Sequence, residues 1–300
     1  MGLRVLSLFD GIACGMQAFK ELGIPIDTYY ASEIEPNAIK VAKANHPEII
    51  EIGDVTKVNF EDYVGKVDII IGGSPCQGFS VMGKQLAFKD ERSKLIKYFF
   101  NAVEIIKPKY FFLENVVMQK QYEKNISDIL GVEAIRIDAA LVSITQRNRL
   151  YWTNIPKVSK PEQIKGLVIR CMSDDCFRDT LSEMPLRRER DNLESEFDHC
   201  YRIGYTSNKK SGCQAVYDCL GKYPTILTNG NKRVMMQDGS LKYPNIHGYE
   251  TIHGLPKDYT KAAGLGGERV RIPLIGNGWC VPVIKHIFSF IPKEDYNEAD

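Results

Sequence analysis

No apolar run in this 300-residue chain approaches the ~20 residues that a membrane helix needs, so no membrane partner is expected. No secretory leader is expected either. Met1-Gly2-Leu3-Arg4-Val5-Leu6-Ser7-Leu8-Phe9-Asp10 turns acidic before an apolar leader core can form. Met1-Gly2 opens like a myristoylation signal, but the residues behind it read as a buried strand. Charge of one sign is not in excess, with 39 Lys+Arg against 38 Asp+Glu. Net charge therefore names no partner, and a nucleic-acid enzyme of this composition would gather its basic groups on one face. There is no internal repeat and no low-complexity tract. The eight cysteines are irregularly spaced, in a chain too long to need staples. Reduced thiols and a cytoplasmic location are the expectation.

What is present is a regular alternation. With 44% hydrophobic residues, the chain can bury one sizeable core and a smaller appendage. Apolar runs predict strands at 3–8, 28–33, 67–72, 110–113 and 133–142. Helices are predicted at 14–22, 36–45, 92–107 and 119–130. In the helix over 92–107, Leu95, Ile96, Phe99, Val103 and Ile106 recur at helical spacing. Strands alternating with helices of this length imply an α/β fold, a doubly wound and mostly parallel Rossmann-like sheet with helices on both faces. After about Pro156 the pattern weakens. Residues 157–222 mix charges, hold five of the eight cysteines and read as a smaller, irregular unit. Val281 to Ile291 reads as a final buried segment.

In an open parallel sheet, ligands bind beyond the carboxyl ends of the strands, and those ends are informative here. Phe9-Asp10-Gly11-Ile12-Ala13-Cys14-Gly15 follows the first strand. It is either a turn that closes the strand or a cofactor loop whose glycines admit a close ligand. Glu33 ends the second strand, where a carboxylate can accept from ribose hydroxyls. Asp54-Val55 could receive an adenine amino group. Together, in this order, they favour a nucleoside-containing cofactor. Gly72-Gly73-Ser74-Pro75-Cys76-Gln77-Gly78 puts a cysteine on a stiff, approachable loop, as a nucleophile requires. Glu114-Asn115 closes another buried run, where a carboxylate is costly unless it is satisfied or working. Arg147 and Arg149 alternate, which on a strand would point both to one side, able to grip a phosphate or carboxylate.

With these residues in hand, the chain resembles the cytosine-5 DNA methyltransferase family. The ordered set is Phe9-x-Gly11, Glu33, Asp54, Pro75-Cys76, Glu114-Asn115-Val116, Arg147-x-Arg149 and Gly276-Asn277-Gly278-Trp279-Cys280-Val281-Pro282-Val283. Its wording is closest to the eukaryotic de novo branch. Because the chain starts at the cofactor motif, a stand-alone enzyme of prokaryotic or viral source is expected, without chromatin-reading modules. The resemblance implies S-adenosyl-L-methionine as cofactor, bound by Phe9, Asp10, Gly11, Ile12, Ala13, Glu33, Asp54, Val55, Asn277 and Trp279. It implies that Cys76 adds to carbon 6 of a flipped-out cytosine in double-stranded DNA while Glu114 stabilises the protonated N3. Arg149, with Arg147 behind it, would contact the base edge and the Cys76 loop. Pro75 and Asn115 would hold that loop in shape. Thr145 stands where the family commonly has Gln, so Gln146 receives no catalytic role.

The resemblance divides the chain into a catalytic and cofactor-binding domain (1–156), a small target-recognition region (157–245) and a C-terminal return to the catalytic domain (246–300). Candidate DNA contacts are Arg187, Arg188, Lys209, Lys210, Lys232 and Arg233. The enzyme would act with or without a restriction endonuclease. A transfer-RNA cytosine-5 methyltransferase is the alternative; it carries a Cys-Phe-Thr signature, of which Cys176-Phe177-Arg178 matches two residues. A non-catalytic homologue is disfavoured by the full set Cys76, Glu114, Arg147 and Arg149. Cys171-x4-Cys176 with His199, Cys200, Cys213 and Cys219 invites a zinc reading, but only the first pair has the usual spacing. No metal is expected.

Overall fold

The computed structural model describes residues 2–74, 95–179, 199–205, 215–226, 232–264 and 266–297. Pro75, Cys76, Arg187, Arg188, Lys209, Lys210 and Cys213 lie outside the described residues. The chain forms two compact units. The first comprises Met1–Ile137, Asn148–Lys160 and Ile284–Asp300; the second comprises Asp138–Arg147 and Pro161–Val283.

The first unit is built on a seven-stranded sheet in the order β3-β2-β1-β4-β5-β8-β6. Its strands are β1 (Leu3–Leu8), β2 (Ile26–Ser32), β3 (Ile50–Glu51), β4 (Ile69–Gly72), β5 (Tyr110–Val116), β6 (Ile135–Asp138) and β8 (Asn148–Thr153). β1 runs parallel to β2 and β4, β4 runs parallel to β5, and β8 is antiparallel to β5. Strand order therefore reverses between β1 and β4, and a doubly wound sheet opens a crevice at such a point. Five of the six β1 residues are buried, as a strand covered on both faces must be. On one face α3 (Ile96–Ile106) and α4 (Lys120–Leu130) supply Phe99, Ala102, Ile106 and Ile126 to a core with Leu6, Ile70, Leu113 and Trp152. On the other, α1 (Cys14–Leu22) stacks Phe19 on Phe288 at 4.4 Å, and Phe112 meets Phe288 edge-on at 5.2 Å. Phe288 ends α7 (Val281–Phe288), whose apolar run closes the sheet's second face. α2 (Pro36–Asn45) starts at a proline after the capping carboxylate of Glu35, as such starts favour.

The predicted strand over 133–142 stops at Asp138. There Asp138 Oδ1 accepts from the Ala140 amide (3.1 Å), turning the chain into a short 3-10 segment at Ala139–Leu141. The same oxygen accepts the Arg147 amide at 2.8 Å. The stretch between the two therefore forms a side excursion that belongs to the second unit.

That unit carries a five-stranded sheet in the order β10-β11-β13-β14-β9. These are β9 (Phe177–Asp179), β10 (Arg202–Tyr205), β11 (Ala215–Asp218), β13 (Arg233–Met235) and β14 (Leu241–Pro244). Strands of three or four residues are too short for alternation to register in the sequence, hence the weak periodicity there. β7 (Thr145–Gln146) pairs in parallel with β12 (Tyr223–Pro224). The helices α5 (Ile246–His253) and α6 (Glu268–Asn277) complete the unit. Its core includes a buried carboxylate. Glu250 accepts from the amides of Asp258 and Thr260 (both 2.8 Å) and from the Arg271 guanidinium (3.0 Å). No helix among the described residues is long and apolar enough to cross a membrane.

Candidate active site

The loop after β1 adopts an uncommon backbone. Phe9, Gly11 and Ala13 all have φ near +60° (61°, 63° and 60°). Gly11 enters that region freely, whereas Phe9 and Ala13 are strained there. Such strain persists only where surrounding structure enforces it, and it concentrates at functional loops. Ala13 precedes α1 without a side-chain cap. Ile12 and Ala13 are buried.

Asp10 sits within this loop and is almost enclosed. Ser7 Oγ and Tyr29 Oη both donate to its Oδ1, at 2.6 and 2.7 Å, while Oδ2 is buried without a hydrogen-bond partner. Burial, reinforced by the nearby carboxylates of Glu51 and Glu33, pushes its acid up to about 7. A cationic ligand group would restore the ionised form. Glu33 Oε2 accepts the Gly11 amide at 2.7 Å, and Oε1 accepts the amides of Ile34 and Glu35. Glu33 thus ties the β2 end to the β1 loop as well as offering lone pairs outward. Asp54 caps a short 3-10 turn through Thr56, whose amide and hydroxyl each donate to Oδ1 at 2.9 Å and hold the acid below its usual range. Val55 behind it is buried. Three carboxylates beside a strained loop fit the needs of a cationic, hydroxyl-bearing nucleoside cofactor.

Sequence reasoning passed over Glu51, on the edge strand β3. Both of its carboxylate oxygens are buried without a hydrogen-bond partner, and burial raises its acid. Its only signal was an acidic residue at the end of a short apolar run.

The second cluster forms where β5 outruns its neighbours. Gly72 opposes Leu113 in the β4–β5 ladder, and two residues further on Asn115 Nδ2 donates to Ser74 Oγ at 3.1 Å. Asn115 thereby anchors the last described residue before Pro75 and Cys76. A Cβ on Gly72 would meet Phe99 at 2.8 Å, so glycine is required where the strand leaves the sheet. On the other face of β5, Glu114 is diagonal to Arg149, because Val116 opposes Arg149 and Glu114 opposes Tyr151. Long side chains span such a diagonal, and Arg149 Nε lies 2.9 Å from Glu114 Oε1. Oε1 nevertheless accepts no hydrogen bond. The contact is held by charge, and a buried carboxylate lone pair remains unspent.

Arg147 does not continue the strand that carries Arg149. It falls between β7 and β8 and belongs to the second unit. The cause is the Asp138 turn: the Arg147 amide donates to Asp138, and its carbonyl accepts from Ala139 at 3.0 Å. Its buried guanidinium donates to the carbonyls of Gly276 and Gly278, both at 3.1 Å. These carbonyls bracket Asn277, which is exposed, and lead to buried Trp279. Arg147 therefore shapes a backbone turn in its own unit. Nothing in the spacing Arg147-x-Arg149 revealed this division. Of the described candidate DNA contacts, Lys232 is buried and Arg233 half-buried, its guanidinium 4.9 Å from the Tyr243 ring centre.

Residues 3–134 match the family model for the C-5 cytosine-specific DNA methylase. This stretch of the chain is similar to that family. Among curated proteins, the chain is 38% identical over 122 residues to the Type II methyltransferase M.NgoBV of Neisseria gonorrhoeae, covering 38% of this chain and 28% of that one. It is 36% identical over 165 residues to the orphan methyltransferase M.SPRI of Bacillus phage SPR, covering 50% of this chain and 37% of that one. The matched stretches thus span well under half of those relatives. Among solved structures, Entamoeba histolytica methyltransferase EhMeth superposes with a TM-score of 0.72 at 17% identity, over 99% of this chain and 100% of that chain. S. pombe Dnmt2 methyltransferase gives 0.68 at 19% identity, over 97% and 99%. At such identities the likeness speaks for the fold.

Proposed function

We propose that the chain transfers a methyl group to carbon 5 of a cytosine flipped out of double-stranded DNA. The observation that carries this reading is the end of β5. Glu114, paired with Arg149 at 2.9 Å, is followed by Asn115, which anchors the Ser74 that leads into Pro75-Cys76. A carboxylate and a cysteine loop on adjoining strands are the two groups that ring activation needs. Carbon 5 of cytosine is a poor nucleophile until a thiolate adds to carbon 6.

In this mechanism the base leaves the stack, at a cost of about a few kcal/mol that its pocket recovers. The Cys76 thiolate adds to carbon 6, and the electron pair moves toward N3, where Glu114 holds the proton. Arg149 keeps Glu114 in place beside the base edge, and Pro75 and Asn115 fix the loop. S-adenosyl-L-methionine supplies, when bound, a methyl group on a sulfonium. Phe9, Asp10, Gly11, Ile12, Ala13, Glu33, Asp54 and Val55 would hold it, and the resemblance adds Asn277 and Trp279. After carbon 5 accepts the methyl, loss of its proton restores the double bond and expels the thiolate. Arg147 acts at one remove, by shaping the turn around Asn277.

Fluorine at carbon 5 cannot leave as a cation, so it tests the adduct directly. Duplex DNA carrying 5-fluorocytosine, mixed with protein and S-adenosyl-L-methionine, should give an adduct that survives denaturing electrophoresis. Cys76→Ser should abolish it, because an alcohol is far less acidic than a thiol; Cys14→Ser and Cys176→Ser should still trap. Trapping in Cys76→Ser would overturn the nucleophile. Preferential trapping of fluorinated RNA would replace DNA as the substrate.

A further inference from the structure

The second unit contains a group of potential metal ligands that the methyl-transfer chemistry does not use. Among the described residues, Asp175, Cys176 and His247 bring a carboxylate oxygen, a thiol sulfur and an imidazole nitrogen within 4.8 Å of one another. The set crosses the fold: Asp175 and Cys176 form a short turn before β9, while His247 is the second residue of α5. Spacing alone could not have suggested it. The cysteine pairs that invited a zinc reading share only Cys176 with this group.

The two pieces are fixed against each other. The Asn245 amide donates to the Cys176 carbonyl at 2.9 Å, and its side-chain nitrogen donates to the Asp175 carbonyl at 2.7 Å. Asn245 Oδ1 meanwhile caps α5 through the Gly248 amide at 3.0 Å. Packing there admits no side chain at 248, where a Cβ would lie 2.3 Å from the Cys176 carbonyl oxygen. The ligand atoms therefore project from a preorganised scaffold, which lowers the cost of assembling a site.

Two further observations point to a cation at this place. Lys257 Nζ lies 2.7 Å from Asp175 Oδ2, and the field of Cys176 also acts on it. A positive charge is already drawn to the group. The imidazole, in contrast, has no hydrogen bond of its own. Its Nε2 stands 3.6 Å from Asp175 Oδ2, outside hydrogen-bond range, and Nδ1 is buried without a partner. A spacing of 3.6 Å between two ligand atoms is within a few tenths of an ångström of the roughly 3.3–3.4 Å edge that tetrahedral bonds of roughly 2.0–2.1 Å to a shared ion would give.

We propose that Asp175, Cys176 and His247 bind one borderline-soft divalent cation, Zn2+ in the first place, with water as the fourth ligand. Mixed sulfur, nitrogen and oxygen donors select Zn2+ over the hard cations Mg2+ and Ca2+, which take oxygen alone. On binding, the Cys176 thiol loses its proton to solvent, the metal–sulfur bond forms, and the Lys257 ammonium swings away from Asp175. The ion would staple the turn before β9 to the start of α5, stiffening the second unit without entering the reaction.

The probe is Co2+ added to full-length protein stripped with a chelator, since a thiolate ligand gives a charge-transfer band and a tetrahedral site gives intense visible bands. One equivalent should saturate both, and Zn2+ should displace it. Losing one of three ligands should cost more than the about 10–100-fold seen for outer contacts. Cys176→Ser should remove the charge-transfer band, and His247→Gln should weaken binding at least that much. Lys257→Ala should tighten binding by removing a competing cation, and circular dichroism checks that each variant is folded. The proposal is overturned if no saturable one-equivalent band appears, if the band survives in folded Cys176→Ser, or if folded Lys257→Ala binds Co2+ no more tightly than the parent.

Discussion

Arg149 and Glu114 meet across the antiparallel β5–β8 ladder at 2.9 Å, yet Glu114 Oε1 accepts no hydrogen bond. The guanidinium thus holds the carboxylate by charge and leaves a lone pair for a substrate proton. Glu114→Gln keeps the shape and removes the exchangeable proton. It should lower kcat by about 10²–10⁴-fold, the usual reach of general acid–base catalysis, with little change in DNA affinity. Arg149→Ala strands a buried carboxylate and should cost stability as well, about 3–5 kcal/mol. The double variant Glu114→Gln/Arg149→Met should regain stability but not activity. Chemical denaturation beside single-turnover methylation separates the two effects; full activity in Glu114→Gln would remove Glu114 from the chemistry.

Asp10 should make cofactor binding sensitive to pH. Its acid rises from 3.8 to about 7 in the folded chain because burial disfavours the ionised form. Ionisation therefore destabilises the free protein progressively as pH climbs from 3.8 toward 7, and the penalty is constant above that. A cationic group of the cofactor binds the ionised form, so affinity should fall below pH 7 by up to about tenfold per unit. Asp10→Asn should bind more weakly and flatten this dependence. Calorimetry giving a flat wild-type profile below pH 7 would separate Asp10 from the cofactor.

Arg147 should behave as a positioning residue. Its guanidinium makes two charge-assisted hydrogen bonds, to the carbonyls of Gly276 and Gly278, each worth about 1.5–3 kcal/mol. Arg147→Ala should lower stability by roughly that sum and raise the KM for the cofactor more than it lowers kcat. Arg147→Lys, able to reach one carbonyl, should recover part of both. A pure kcat loss at unchanged stability would instead place Arg147 at the reacting base.

His46 predicts an acid limit. Buried at the end of α2, its imidazole is pushed down from 6.5 to about 4 by desolvation, with the Lys20 charge adding to the effect. Below pH 6.5 the unfolded chain takes a proton that the folded chain refuses. Stability should fall as pH drops from 6.5 and level off near 4, by about 3 kcal/mol in all. His46→Gln should reduce this slope; an identical slope in denaturant titrations at several pH values would assign it elsewhere.

The sequence by itself determined most of the first unit. The helices read at 14–22 and 36–45 end where α1 and α2 end, because amphipathic spacing and capping residues are local in the chain. The end of β1 ahead of Asp10 was legible for the same reason, whereas β5 runs past the apolar stretch 110–113 to Val116 and carries Glu114 within the ladder. Tertiary structure decided the rest. Arg147 and Arg149 looked equivalent, and only the Asp138 turn sends one to the carbonyls of the second unit and the other to Glu114. The left-handed backbone of Phe9 and Ala13 has no local cause, because neither residue favours it and only the surrounding loop imposes it. His247 meets Asp175 and Cys176 solely because Asn245 clamps α5 to the turn before β9. Contacts between residues distant in the chain leave no period in it, so only the folded structure reveals them.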